Sequence, residues 1–125
     1  MNKFRVYADT SVFGGCFDKE FSITSLEFIK QVEKGIYKLI ISPVLLAELN
    51  DAPIEVRNIL SKLPEECYEI LLFTDEIIKL RNKYIESGIK TSNHKSDAEH
   101  VAAATISNAD FIVSWNSNIL YILIK

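Results

Sequence analysis

Apolar residues along this chain fall into two kinds of run. Short β-rich or unbroken apolar runs at Lys3–Ala8, Tyr37–Ile41, Tyr68–Phe73 and Phe111–Trp115 predict strands. Between them lie longer segments carrying helix start and stop signals. Thr24-Ser25-Leu26-Glu27 has the capping-box pattern, and the helix it predicts closes at Gly35. Ser42-Pro43 supplies a cap and a first-turn proline for a helix through Leu49. Asn50-Asp51-Ala52-Pro53 breaks that helix and opens another, which ends near Pro64. Thr74 caps a predicted helix running to Gly88, and Ile89–Lys95 reads as a polar loop. Ser96-Asp97-Ala98-Glu99 is a second capping box, opening the alanine-rich helix Asp97–Ser107, and Ser117–Lys125 reads as a short apolar helix. Strands alternating with helices predict an α/β domain with a mostly parallel sheet of about four strands. In such sheets sites form outside the carboxyl ends of the strands, where Asp9 and Asn116 are both expected.

Against this pattern, a few acids are out of place. Asp9 stops the first apolar run abruptly, although Asp-Thr-Ser is also good turn chemistry. Glu48 is the only acid within PVLLAEL and falls between Val44 and Leu45 on the helical wheel, inside the apolar stripe. A carboxylate there must be paired or coordinated, because burying it bare costs several kcal/mol. Asp97 sits in a first turn, where the helix dipole favours an acid, and shares a stripe with Val101, Ala104 and Thr105. His94 and His100 are the only histidines; His100 follows Asp97 by three, so both could touch one site, although isolated histidines more often lie on solvated faces. No Ser-His-Asp or Cys-His constellation is evident, and Gly14-Gly15 lacks the context of a phosphate loop.

Composition narrows the class without naming a chemistry. With 125 residues, 48% of them hydrophobic and 25% charged, the chain is expected to be one globular domain with a real core. No run approaches the roughly 20 apolar residues of a membrane span, and the N-terminus does not read as a signal peptide. Cys16 and Cys67 match no metal spacing and are expected to be free thiols of a cytoplasmic protein. A net charge of −3 argues against broad duplex binding, yet leaves room for a nucleic-acid enzyme built around an acidic site.

Taken in order, YADTSVFGG, SPVLLAELNDAP, SDAEHVAAAT and NADFIVSWN resemble the PIN-domain family, small metal-dependent ribonucleases that include the VapC-type toxins of bacterial toxin–antitoxin pairs. The resemblance spans nearly the whole chain. It implies a single three-layer domain over residues 1–125, with a central parallel sheet between helices. It also implies four site positions: Asp9 ending the first strand, Glu48 on an early helix, Asp97 opening a later one, and Asn116 after the last strand. Thr10 and Ser11 would support them. Asp9, Glu48 and Asp97 would hold Mg²⁺ or Mn²⁺, hard cations that prefer oxygen ligands. Such a cation would assist hydrolysis of RNA phosphodiester bonds. An antitoxin protein and a second copy of the chain are the implied partners, and Ile77, Ile78, Leu80 and Ile85 offer apolar surface for a homodimer.

Two features depart from the family pattern. Asn116 stands where many PIN domains carry a fourth aspartate, although toxin-type relatives also carry a Trp-Asn pair there. Lys125 follows soon after, so a shortened C-terminal end is expected. Both motivate the alternative of a catalytically inactive PIN-fold binding module. Receiver and haloacid-dehalogenase-type readings fail, because each needs acids near Asp9 where Thr10 and Ser11 stand. The loop bearing Lys90, His94 and Lys95 is the candidate RNA contact.

Overall fold

In the computed structural model, residues 3–72, 74–87, 94–116 and 119 are described. Four strands, β1 (Phe4–Ala8), β2 (Tyr37–Ile41), β3 (Tyr68–Ile70) and β4 (Phe111–Val113), form one sheet in the order β3-β2-β1-β4, with every pairing parallel. Helices among the described residues are α1 (Thr10–Gly15), α2 (Ser22–Glu33), α3 (Pro43–Asn50), α4 (Ile54–Ser61), α5 (Thr74–Glu86) and α6 (His94–Ile106). A 3₁₀ turn, Glu65–Cys67, leads into β3.

The period-two rule for strands sorts the core into two layers. Ala8, Leu39 and Ile41 face α1 to α4 and pack with Val12, Phe13, Ile29, Val32, Leu45, Leu49 and Val56. Tyr7 and Ile40 point the other way, against Ile77 of α5 and Ala102, Ala103 and Ala104 of α6. The register explains the sorting: Tyr7 pairs with Ile40 and with Ile112, while Ala8 pairs with Val113. Alanines at 102–104 bring the α6 backbone close to the sheet, and all three are buried. The result is a three-layer α/β sandwich.

The order in which strands are added reverses at β1. Strands β1, β2 and β3 step to one side, and β4 returns to the other. The crevice between the carboxyl ends of β1 and β4 is therefore a topological switch point, where open parallel sheets place their ligands.

Both capping boxes are used differently from expectation. Helix α2 opens at Ser22, a turn before the Ser25 amide that already bonds to the Phe21 carbonyl. Ser25 is buried, and its hydroxyl is committed to the Trp115 indole at 2.8 Å. Helix α6 opens at His94 rather than Asp97, so residues 94 and 95 are helical instead of loop. The Ser96 hydroxyl is bonded to Glu48, and Glu99 pairs with Arg81 at 2.8 Å, so neither serves as a cap. Short helix α1 was not expected. Ser42 does cap α3, accepting the Leu45 amide at 3.1 Å, and Gly35 adopts φ +82° just past α2.

The apolar residues assigned to a dimer face are largely used within the chain. Ile77 is buried, and Leu80 and Ile85 pack against α6, leaving Ile78 exposed at 38%. That face no longer supplies a reason for a homodimer. Cys16 and Cys67 are free and buried, as expected. No described helix is long and apolar enough to cross a membrane. Lys90, and the expected helix Ser117–Lys125 apart from buried Ile119, lie outside the described residues.

Candidate functional site

Three adjacent strands each release a polar residue at their carboxyl ends: Asp9 after β1, Ser42 after β2 and Ser114 after β4. Asp9 occupies the cap position of α1, yet its side chain makes no cap bond to that helix. Instead it is 3% exposed and held by two hydroxyls. Ser11 donates to Oδ1 at 2.5 Å and Ser114 to Oδ2 at 2.8 Å. Each serine is itself fixed by the backbone leaving β4. The Trp115 amide donates to Ser11 Oγ at 2.9 Å and the Asn116 amide to Ser114 Oγ at 3.0 Å. Turn chemistry therefore accounts for the backbone at Asp9, while its carboxylate is aimed by the neighbouring strand.

Asp97, in the first turn of α6, is 4% exposed and reaches the same crevice. Asn116 Nδ2 donates to its Oδ1 at 2.9 Å. A carboxylate can only accept, so the amide nitrogen of Asn116 faces Asp97. At this position the chain places a donor that offsets charge.

Glu48 enters from α3 with its side chain 34% exposed. Thr10 Oγ1 donates to Oε1 at 2.5 Å, and His100 Nε2 meets the same oxygen at 2.6 Å. Burial pushes the Glu48 carboxyl up. Hydrogen bonds from His100, Thr10 and Ser96 outweigh that effect and hold it below its ordinary value. The apolar-stripe argument thus identified a carboxylate that is paired.

Behind Glu48 runs a buried polar row. His100, 3% exposed, meets the hydroxyl of Tyr7 through Nδ1 at 2.6 Å, and Tyr7 meets Ser42 Oγ at 2.6 Å. Burial drives the Tyr7 phenol well above its ordinary pKa, so it stays protonated. The expected solvated position of His100 is wrong, because α6 turns this residue inward beside Asp97. On the other flank Trp115 stacks on Phe21 with ring centroids 5.2 Å apart and planes 5° from parallel.

Hydrogen bonds therefore join Asp9, Ser11, Ser114, Asn116 and Asp97 into one network at the carboxyl edge, and Thr10, Glu48 and His100 into a second, whose Thr10 directly follows Asp9 in the chain. Lys95 is exposed in the first turn of α6, and the His94 side chain lies outside the described residues. Sequence reasoning missed Tyr7, Ser42 as more than a cap, Ser114 and Trp115, and for His100 it favoured a solvated face over the site it also allowed. The available signal was weak: a hydroxyl or ring follows, or interrupts, each of three apolar strands. Among the described residues, no three His, Cys, Asp or Glu side chains form a ready-made metal cage.

No family model matches the chain, and no curated protein matches it either. Among solved structures, it is similar to a chain of the crystal structure of VapBC2 from Rickettsia felis bound to a DNA fragment from their promoter. The TM-score is 0.59 at 15% identity, over 90% of this chain and all of that one. At this identity the likeness speaks to the fold, which is PIN-like.

Proposed function

We propose that this chain is a VapC-type, metal-dependent endoribonuclease that hydrolyses RNA phosphodiester bonds with Mg²⁺ or Mn²⁺. The observation that carries the reading is that Asp9 and Asp97, from β1 and α6, share one network of hydrogen-bond donors through Ser114 and Asn116, with Glu48 of α3 held by Thr10, the residue after Asp9. The donor set fits a hard divalent cation: carboxylate, hydroxyl and carboxamide groups, with the imidazole turned toward Glu48. Mg²⁺ needs only one or two carboxylates and keeps several waters, so a complete protein cage is not required. Asp9 and Asp97 would hold the cation, with Glu48 beside them. A bound cation supplies charge compensation at a phosphate and acidifies water.

The chain's own residues supply the rest. Ser11 and Ser114 fix both oxygens of Asp9, so the carboxylate does not have to be ordered when ligand arrives. Asn116 restrains Asp97 and lowers the repulsion among the acids. Exposed Lys95 borders the site and is suited to a phosphate contact. An antitoxin partner, a cytoplasmic setting and a homodimer belong to the same reading.

The test is cleavage of single-stranded RNA by purified chain with Mg²⁺ or Mn²⁺, and with chelator. Asp9→Asn and Asp97→Asn should each lower cleavage by about 100-fold or more, the upper end of what disturbing a metal site costs. Cleavage that survives chelator or both substitutions refutes the proposal. A second reading, a noncatalytic module of the same fold, draws support from the Asn116 donor replacing a fourth carboxylate. Saturable RNA binding without turnover in either metal would favour it.

A further inference from the structure

Glu48 differs from the other two acids in reach and exposure. Its longer side chain extends from α3 and is a third exposed, so unaided it would lose substantial rotamer entropy on being fixed. Yet Thr10 and His100 converge on a single one of its oxygens. We propose that His100, braced by Tyr7 and Ser42, is a positioning residue that holds the Glu48 carboxylate in place for a divalent cation. The inference rests on the metal-dependent reading above.

Accounting for the hydrogens supports it. An ionised carboxylate has none to give, so His100 Nε2 carries the N–H toward Glu48. In the tautomer that carries its proton on Nε2, Nδ1 is an acceptor, and the Tyr7 hydroxyl is its donor. The Tyr7 oxygen in turn receives the Ser42 hydroxyl, and Ser42 Oγ receives the Leu45 amide. Every group in the row is used once, in one direction. The row starts on the backbone of α3 at Leu45 and returns to the same helix at Glu48. Because Tyr7 and His100 are buried at 0% and 3%, water competes poorly for these bonds. The ring is locked at one nitrogen and points its other at the acid, the arrangement by which outer partners orient metal ligands.

A merely space-filling histidine predicts a different outcome from a positioning one, and two amides separate them. In His100→Gln the side-chain nitrogen can take the place of Nε2 and still donate to Glu48. In His100→Asn the amide lies nearer the Nδ1 position and reaches Tyr7 but not Glu48. Mn²⁺ binding by isothermal titration and metal-free melting are measured on the full chain. His100→Asn should weaken Mn²⁺ binding about tenfold or more, while His100→Gln stays within about threefold of wild type. Metal-free melting temperatures should fall for both by similar amounts. Wild-type affinity in both variants, or equal weakening in both, overturns the proposal. Should His100→Asn not fold, Tyr7→Phe decides: it should weaken Mn²⁺ binding by about threefold, and unchanged affinity overturns the role. Asp9→Asn separates the two readings. If it binds Mn²⁺ like wild type, the metal assignment fails and the positioning role with it. If it loses binding while His100→Asn does not, the positioning role alone fails.

Discussion

The two ends of the central strands hold their acids in opposite ways. At the amino edge, Arg5 of β1 forks onto Glu69 of β3 with contacts of 2.5 and 3.2 Å. Its remaining N–H groups reach the Ser107 and Asn108 carbonyls at 2.6 and 3.3 Å, where α6 has just ended. Asp110 accepts the Arg5 amide at 2.7 Å and donates its own amide to the Arg5 carbonyl at 2.8 Å. A cation of the chain is thus built into that end and ties the sheet to α6. At the carboxyl edge, Asp9 is held by hydroxyls alone and Glu48 by a hydroxyl and an imidazole. Among the described residues, neither is paired with lysine or arginine. Self-contained charge marks the structural edge; donors around negative charge mark the edge where we propose an outside cation.

Disturbing the frame of the carboxyl edge should give the largest stability effect. A Cβ on Gly15 would lie 2.5 Å from Ser25 Oγ and 2.9 Å from the Trp115 indole. Gly15→Ala must therefore displace Trp115, whose amide holds Ser11, and should destabilise the fold by about 1–3 kcal/mol. Chemical denaturation measures this directly, and cleavage should fall as well. An unchanged unfolding midpoint would mean that the Trp115 contact carries no strain.

Next in size is Asn116→Asp, which replaces a donor to Asp97 by a like charge of nearly the same shape. Metal-free protein should lose on the order of 1–2 kcal/mol, while Mn²⁺ binding should tighten by at least about 1 kcal/mol at an effective dielectric near 20. Melting curves with and without Mn²⁺ report both signs. Curves that move together in the two conditions would sever Asn116 from the cation.

At the opposite end, Glu69→Gln removes the partner of Arg5. The pair is about one-third exposed, so the expected loss is only about 0.5–1 kcal/mol. RNA cleavage should stay within about twofold of wild type, since this acid holds no ligand. A large drop in activity would dissolve the contrast between the edges.

Smallest is a pH effect in metal-free protein. The folded-state pKa of Glu48 lies below its ordinary value of 4.5. Its stabilising contribution is therefore complete above that value and is lost as pH falls through the lower folded value. Glu48→Gln should flatten the acid limb of the stability curve relative to wild type, leaving the neutral region little changed in slope.

How much of this was readable beforehand differs between fold and site. Strand positions and their parallel arrangement followed from the apolar runs, because burial on both faces of such a sheet demands continuous hydrophobic sequence. Asp9, Glu48 and Asp97 stood out because a carboxylate within an apolar context needs a partner. Helix starts were less legible: Ser25, Ser96 and Glu99 fit capping boxes locally, but tertiary contacts with Trp115, Glu48 and Arg81 claim their side chains. Tyr7, Ser114 and the bond from His100 to Glu48 were illegible for a related reason. Their roles arise only when residues 35 to 105 positions apart meet across strands and helices, as with Tyr7 and Ser42 or Asp9 and Ser114.

The central claim is that the carboxyl edge takes a divalent cation between acids delivered by β1 and α6. Anomalous diffraction from crystals soaked in Mn²⁺ tests it most directly. The expected result is a peak at roughly 2.0–2.5 Å from carboxylate oxygens of Asp9 or Asp97, with none beside Glu69. Ordered Asp9 and Asp97 without an anomalous peak at millimolar Mn²⁺, or a peak only at the amino edge, would contradict it.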